Sequence, residues 1–113
     1  ESVAALHRSV ELGCTFFDTA LAYGHGKSEQ LLAQVLPAHR DRALIVATKI
    51  PPKNGKWPAK PEYALGDVFP VDWMIEATDT SLRNLGVDRI DVQQLHVWTD
   101  EWAELDDWME GAL

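Results

Sequence analysis

At 113 residues, 46% of them hydrophobic and 25% charged, the chain is long enough for one soluble domain with a core. A formal net charge of −8 argues against a nucleic-acid surface and gives no basis for binding anionic membranes; no apolar run approaches the roughly 18 residues that a span needs. The single Cys14 excludes an internal disulfide and there is no signal-peptide layout, so a reduced, cytoplasmic setting is the expectation.

In chain order, residues 3–12 place Val3, Leu6 and Val10 on one helical face, and Gly13 follows as the stop. Thr15-Phe16-Phe17 is a short β-favouring run ended by Asp18, and Tyr23-Gly24-His25-Gly26 is a loop by its glycines. Ser28 is placed to cap a helix carrying Leu31, Leu32, Val35 and Leu36, with Pro37 at its end. Ala43–Ala47 is apolar throughout, the pattern of a parallel strand buried on both faces, and Lys49 closes it. A loop of about twenty residues with prolines at 51, 52, 58, 61 and 70 comes next, and loops of that length are usually functional or disordered. A long helix from near Asp72 to Leu85 is expected to bury Met74, Ile75, Leu82 and Leu85, with Gly86 as its stop. Residues 90–95 form the third strand, ending at His96, and an amphipathic segment with Trp102, Leu105, Trp108 and Met109 follows from Asp100.

The order α-β-α-β-α-β-α implies a parallel sheet with crossover helices, either an open doubly wound sheet or part of a (β/α)8 barrel. Both ends are expected to be cut, since Glu1 stands where an initiator Met would and residues 108–113 stop within a helical pattern.

All three strands end in an ionisable residue: Asp18, Lys49 and His96. Parallel strands bring those ends to one side, where both architectures put their sites. A buried charge is costly unless paired, so Asp18 and Lys49 are expected to meet as an ion pair, with Tyr23 within reach. An ammonium beside a phenol favours the phenolate, which would suit the tyrosine to general acid–base work near neutral pH. Nothing has metal-ligand spacing, and no serine or cysteine nucleophile is evident.

Residues 17–29, Phe17-Asp18-Thr19-Ala20-Leu21-Ala22-Tyr23-Gly24-His25-Gly26-Lys27-Ser28-Glu29, resemble the aldo-keto reductase signature D-T-A-x-x-Y-G-x-G-x-S-E. Ala47-Thr48-Lys49 resembles the family's next strand end. The run from Ser81 to Asp91, followed by Gln94-Leu95-His96, resembles a third landmark in the same order. The resemblance covers essentially the whole chain. It implies an incomplete (β/α)8 TIM-barrel domain over residues 1–113, about strands two to four with their helices.

The family's tetrad then falls on Asp18, Tyr23, Lys49 and His96, with Tyr23 as the acid that protonates a carbonyl oxygen as hydride arrives. Lys49, held by Asp18, would tune Tyr23, and His96 would orient the carbonyl. The implied cofactor is NADPH, with NADH possible, and Asp18 would border its nicotinamide end. The family's pocket for the cofactor phosphates lies in later strands. The implied partner is a small carbonyl substrate, with no nucleic acid and no membrane; the oligomeric state stays open.

Plainer readings stand beside these. Asp18 and Lys49 could be a structural pair, Tyr23 a packed loop aromatic and His96 a satisfied core histidine; their joint placement at strand ends favours the site. Trp57 and Trp98 are candidate apolar walls for a substrate. Trp102 and Trp108 are expected in the core, His7, His25 and His39 at the surface, and Cys14 buried and inert. Ser28 and Glu29 are assigned to capping and positioning their helix. The competing functions are a non-catalytic regulatory or binding protein that keeps the reductase fold, and a fragment with no activity of its own.

Overall fold

The computed structural model describes residues 2–104. Helix α1 (Ser2–Glu11) ends where Gly13, at φ 105°, lets the chain reverse: its N–H donates to the Val10 carbonyl at 3.0 Å, and that of Cys14 to Ser9 at 2.9 Å. Strand β1 (Phe16–Asp18), helix α2 (Lys27–Ala33), a 3-10 turn at Leu36–His39 and strand β2 (Ile45–Ile50) follow. After a long loop come the one-turn helix α3 (Leu65–Val68), helix α4 (Val71–Leu85) and strand β3 (Val92–Leu95), then a 3-10 turn at Asp100–Glu104. The three strands form one parallel sheet in the order β1-β2-β3, with Asp18 opposite Ala47 and Lys49 opposite Gln94.

Strand alternation divides the sheet into two faces. Phe17, Val46 and Ile50 are buried toward the helices in two apolar clusters, and Thr48 is buried on the same side. One joins Val10, Phe17, Leu32, Val35, Val46 and Leu85; the other joins Ile50 to Leu65, Val68, Phe69, Ala77 and Trp102. Trp102 is thus in the core, as expected, whereas Leu105, Trp108 and Met109 lie outside the described residues. On the other face Ala47 is buried, whereas Phe16, Ile45 and Val92 are 51%, 40% and 38% exposed, so the expected burial of β2 on both faces holds at Ala47 and not at Ile45.

Other expectations shift by a few residues, each for a physical reason. The α2 helix starts after Gly26 (φ 92°), so Ser28 lies within its first turn and does not cap it. That helix ends at Ala33, and Pro37, lacking an N–H, sits in the first turn of the tighter 3-10 helix that opens at Leu36. Strand β2 runs on to Ile50, because the His96 N–H donates to the Ile50 carbonyl at 2.9 Å and extends the ladder past Lys49.

The expected loop after Lys49 contains α3, and two indoles pin it. Trp73 Nε1 donates to the Pro51 carbonyl at 2.8 Å, and Trp102 Nε1 to the Tyr63 carbonyl at 2.9 Å. On α4 the buried stripe is Ala77, Ser81 and Leu85, at helical i, i+4 spacing, so Ile75 falls off it and is 59% exposed. Gly86, at φ 68°, closes α4 as expected, its N–H donating to the Leu82 carbonyl at 2.9 Å. Cys14 is exposed, because it belongs to the turn after Gly13 and precedes the buried part of the strand. His7 and His39 are half-buried against each other, Nδ1 of the first 2.8 Å from Nε2 of the second. Among the described residues no helix is long and apolar enough to cross a membrane.

Candidate active site

The sheet brings its C-terminal ends together at one edge of the molecule, and the four expected residues meet there. Asp18 is the last residue of β1, Lys49 the penultimate residue of β2, and His96 follows β3. Lys49 Nζ donates to Asp18 Oδ1 at 2.8 Å and to the Thr19 carbonyl at 2.9 Å. These two acceptors hold a cation whose side chain is only 15% exposed, which offsets the cost of its burial.

Tyr23 reaches the same spot from the loop after β1. That loop turns sharply through Gly24, His25 and Gly26, at φ 62°, 53° and 92°, a left-handed run in which only His25 carries a Cβ. The turn lays the Tyr23 ring over Lys49, with Nζ 5.4 Å from the ring centroid, a cation–π distance. His96 meets Tyr23 edge-on, the ring centroids 5.6 Å apart at 82°.

The local electrostatics follow from this geometry. The hydrogen bond from Lys49 holds the Asp18 carboxyl below its usual range. Burial opposes this as the next-largest effect, and the charge of Lys49 and the side-chain amide of Gln94 add to the lowering. Burial pushes His96 below the ordinary 6.5; the Lys49 charge adds to this and Asp18 opposes it. The imidazole is therefore neutral at neutral pH, with one nitrogen donating and the other accepting. Its Nδ1 is buried and has no hydrogen-bond partner among the described residues.

A cleft of about 670 Å³ opens beside Tyr23 and His96, walled by Leu21, Pro51, Trp57 and Trp73. Trp57, from the long loop, stands edge-on to His96 with centroids 4.7 Å apart. Trp98 is not among the cleft's lining residues and packs edge-on against Trp102 at 5.5 Å. His25, exposed as expected, also borders the cleft. The sequence reading passed over Trp73 and Gln94 at the site, and Thr48 and Asn84 behind it. The pattern Ala47-Thr48-Lys49 held the signal for Thr48; no local signal marked Asn84. Among the described residues no group of three or more His, Cys, Asp or Glu side chains could hold a metal ion.

A parallel βα frame thus brings an ion-paired lysine, the tyrosine above it and the histidine beside them to one set of strand ends. Residues 1–111 match the aldo/keto reductase family, and the chain belongs to it. It is 33% identical over 101 residues to the methylglyoxal reductase YeaE of Escherichia coli, covering 89% of this chain and 30% of that protein. It is 32% identical over 99 residues to the aldo-keto reductase yakc [NADP(+)] of Schizosaccharomyces pombe, covering 87% and 28%. Among solved structures, an aldo-keto reductase from Klebsiella pneumoniae in complex with NADPH superposes with a TM-score of 0.68 at 28% identity, over 96% of this chain and 34% of that one. The fold is therefore a three-stranded part of a TIM barrel, and the chain spans about a third of the length of these relatives.

Proposed function

We propose that this chain supplies the proton-transfer half of a nicotinamide-dependent oxidoreductase that interconverts an aldehyde or ketone and its alcohol. The observation that carries the reading is the stack of Asp18, Lys49 and Tyr23, with Nζ bonded to the carboxylate below and facing the phenol ring above.

The residues present fit the nicotinamide end of such a cofactor. The cleft has flat apolar walls at Trp57, Trp73 and Pro51, suited to a planar ring, with His96 among its lining residues. Asp18, 57% exposed in its side chain, would border that end. When bound, NADPH, or NADH as the alternative, would supply a hydride to the carbonyl carbon.

The chain's own residues then do the rest. Tyr23 Oη gives its proton to the carbonyl oxygen, and the charge left on Tyr23 faces the Lys49 ammonium. Asp18 fixes Lys49 in place and balances its charge when Tyr23 is neutral. Neutral His96 offers a hydrogen bond that orients and polarises the carbonyl without competing as a proton donor. Trp57 shields His96 and walls the substrate side. In the oxidative direction Tyr23 takes the proton back as a base.

The test is NADPH consumption by the full-length protein across a panel of small carbonyls, beginning with methylglyoxal, for which the Escherichia coli relative is named. Turnover that saturates in carbonyl is expected. Cofactor binding without carbonyl-dependent turnover would favour a regulatory protein on the reductase fold.

A further inference from the structure

A second polar cluster lies behind the strand ends, on the helix side of the sheet. Glu29, in the first turn of α2, is fully buried, and a buried carboxylate is costly unless donors meet its oxygens. Both oxygens are met. Thr48 Oγ1 donates to Oε2 at 2.6 Å, and Asn84 Nδ2 to Oε1 at 3.0 Å. Asn84 Oδ1 accepts in turn from Gln30 Nε2 at 3.4 Å, which fixes the orientation of the Asn84 amide.

These partners flank the proton-transfer residues in the chain. Thr48 precedes Lys49 on β2, its side chain on the opposite face, so the Glu29 bond holds the backbone from which Lys49 projects. The neighbouring Ser28 Oγ lies 2.6 Å from Thr19 Oγ1, and the Thr19 carbonyl accepts from Lys49 Nζ. The Ser28 N–H donates to the Tyr23 carbonyl at 3.3 Å. Gly26, which ends the Tyr23 loop, lies so close to Asn84 that an added Cβ would stand 2.6 Å from Nδ2. One turn of α2 thus grips the Lys49 strand, the residue after Asp18 and the Tyr23 loop, and Asn84 anchors that turn to α4.

We propose that Glu29 is a positioning residue for the proton transfer: its buried carboxylate, through Thr48 and Asn84, sets where Tyr23 sits relative to Lys49. The inference rests on the reductase reading above. Misplacing a reacting group by an ångström slows the chemical step far more than it weakens substrate binding.

The experiment compares Glu29→Gln with the double variant Glu29→Gln/Asn84→Asp in the full-length protein. The single change keeps an acceptor for Thr48 but sets an NH2 against the Asn84 NH2. The double change restores that hydrogen bond with its direction reversed and the net charge unaltered. For Glu29→Gln, kcat is expected to fall about 10- to 100-fold with KM within about threefold of wild type. The double variant should recover kcat to within about threefold. In the cofactor-free protein, amide hydrogen exchange at Ser28 should speed up in the single variant and slow again in the double. Should Glu29→Gln fail to fold, Asn84→Ala, which leaves the Thr48 contact, takes its place with the same expected loss of kcat.

A folded single variant with wild-type kcat, or a loss of kcat that the double variant does not recover, would overturn the role of Glu29. Wild-type turnover in Tyr23→Phe would overturn the reductase reading and this inference with it. An inactive Tyr23→Phe beside a fully active Glu29→Gln would overturn this inference alone.

Discussion

At the scale of single residues, the Lys49–Asp18 pair makes a prediction that does not depend on catalysis. The Lys49 hydrogen bond holds the Asp18 carboxyl below its ordinary range. A depressed carboxylate contributes stability that is present above the unfolded value, about 3.9, and is lost as pH falls through the lower folded value. Asp18→Asn should therefore flatten the loss of stability below about pH 4 and leave its pH dependence above pH 5 unchanged, as read from urea unfolding midpoints. Because the Asp18 side chain is more than half exposed, the effect should stay under about 1 kcal/mol. His96 follows the same sign in another window. Its neutral form is favoured by the fold, so that contribution is present above 6.5 and is lost as pH falls through the lowered value.

At the scale of elements, the long loop and the Tyr23 loop each carry one expectation. Trp57 lies against His96, so it contributes to the burial that depresses the imidazole. Trp57→Ala should admit water and raise the His96 titration midpoint toward 6.5, followed by histidine C–H chemical shifts; an unmoved midpoint would assign the burial to other neighbours. Gly26→Ala meets two obstacles, a φ of 92° and an Asn84 side chain already fixed by Glu29. It should cost about 1–3 kcal/mol in thermal or urea unfolding.

The same elements show what was legible beforehand. Glycine stops at Gly13 and Gly86, strand runs near residues 16 and 92 and the signature from Asp18 to Glu29 all rest on local chemistry, and each led to its element within a few residues. The burial of Glu29 depended on Asn84, 55 positions away, and no local pattern reports such a pairing. Trp57 and Trp98 looked alike as pocket walls in sequence. A loop held by Trp73 and Trp102 brought the first to the cleft, while the second packs on Trp102. On α4 small Ala77 and Ser81 join Leu85 in the buried stripe while Ile75 is exposed, an arrangement that the size of the apolar side chains does not reveal.

At the scale of the whole molecule, the sheet has one face packed on helices and one that carries Phe16, Ile45 and Val92 in partial exposure, with Asp18 and Lys49 at its upper rim. In a closed barrel such a face becomes the packed interior, and the rim becomes the floor of the site. This chain spans about a third of the length of its relatives. The most direct test of the central claim, that Tyr23 is the proton donor in carbonyl reduction, compares full-length wild type with Tyr23→Phe. It reads carbonyl-dependent NADPH consumption and cofactor affinity on the same samples. The account predicts that kcat falls by about 10²-fold or more while cofactor affinity is retained. Reduction by Tyr23→Phe at the wild-type rate would contradict it.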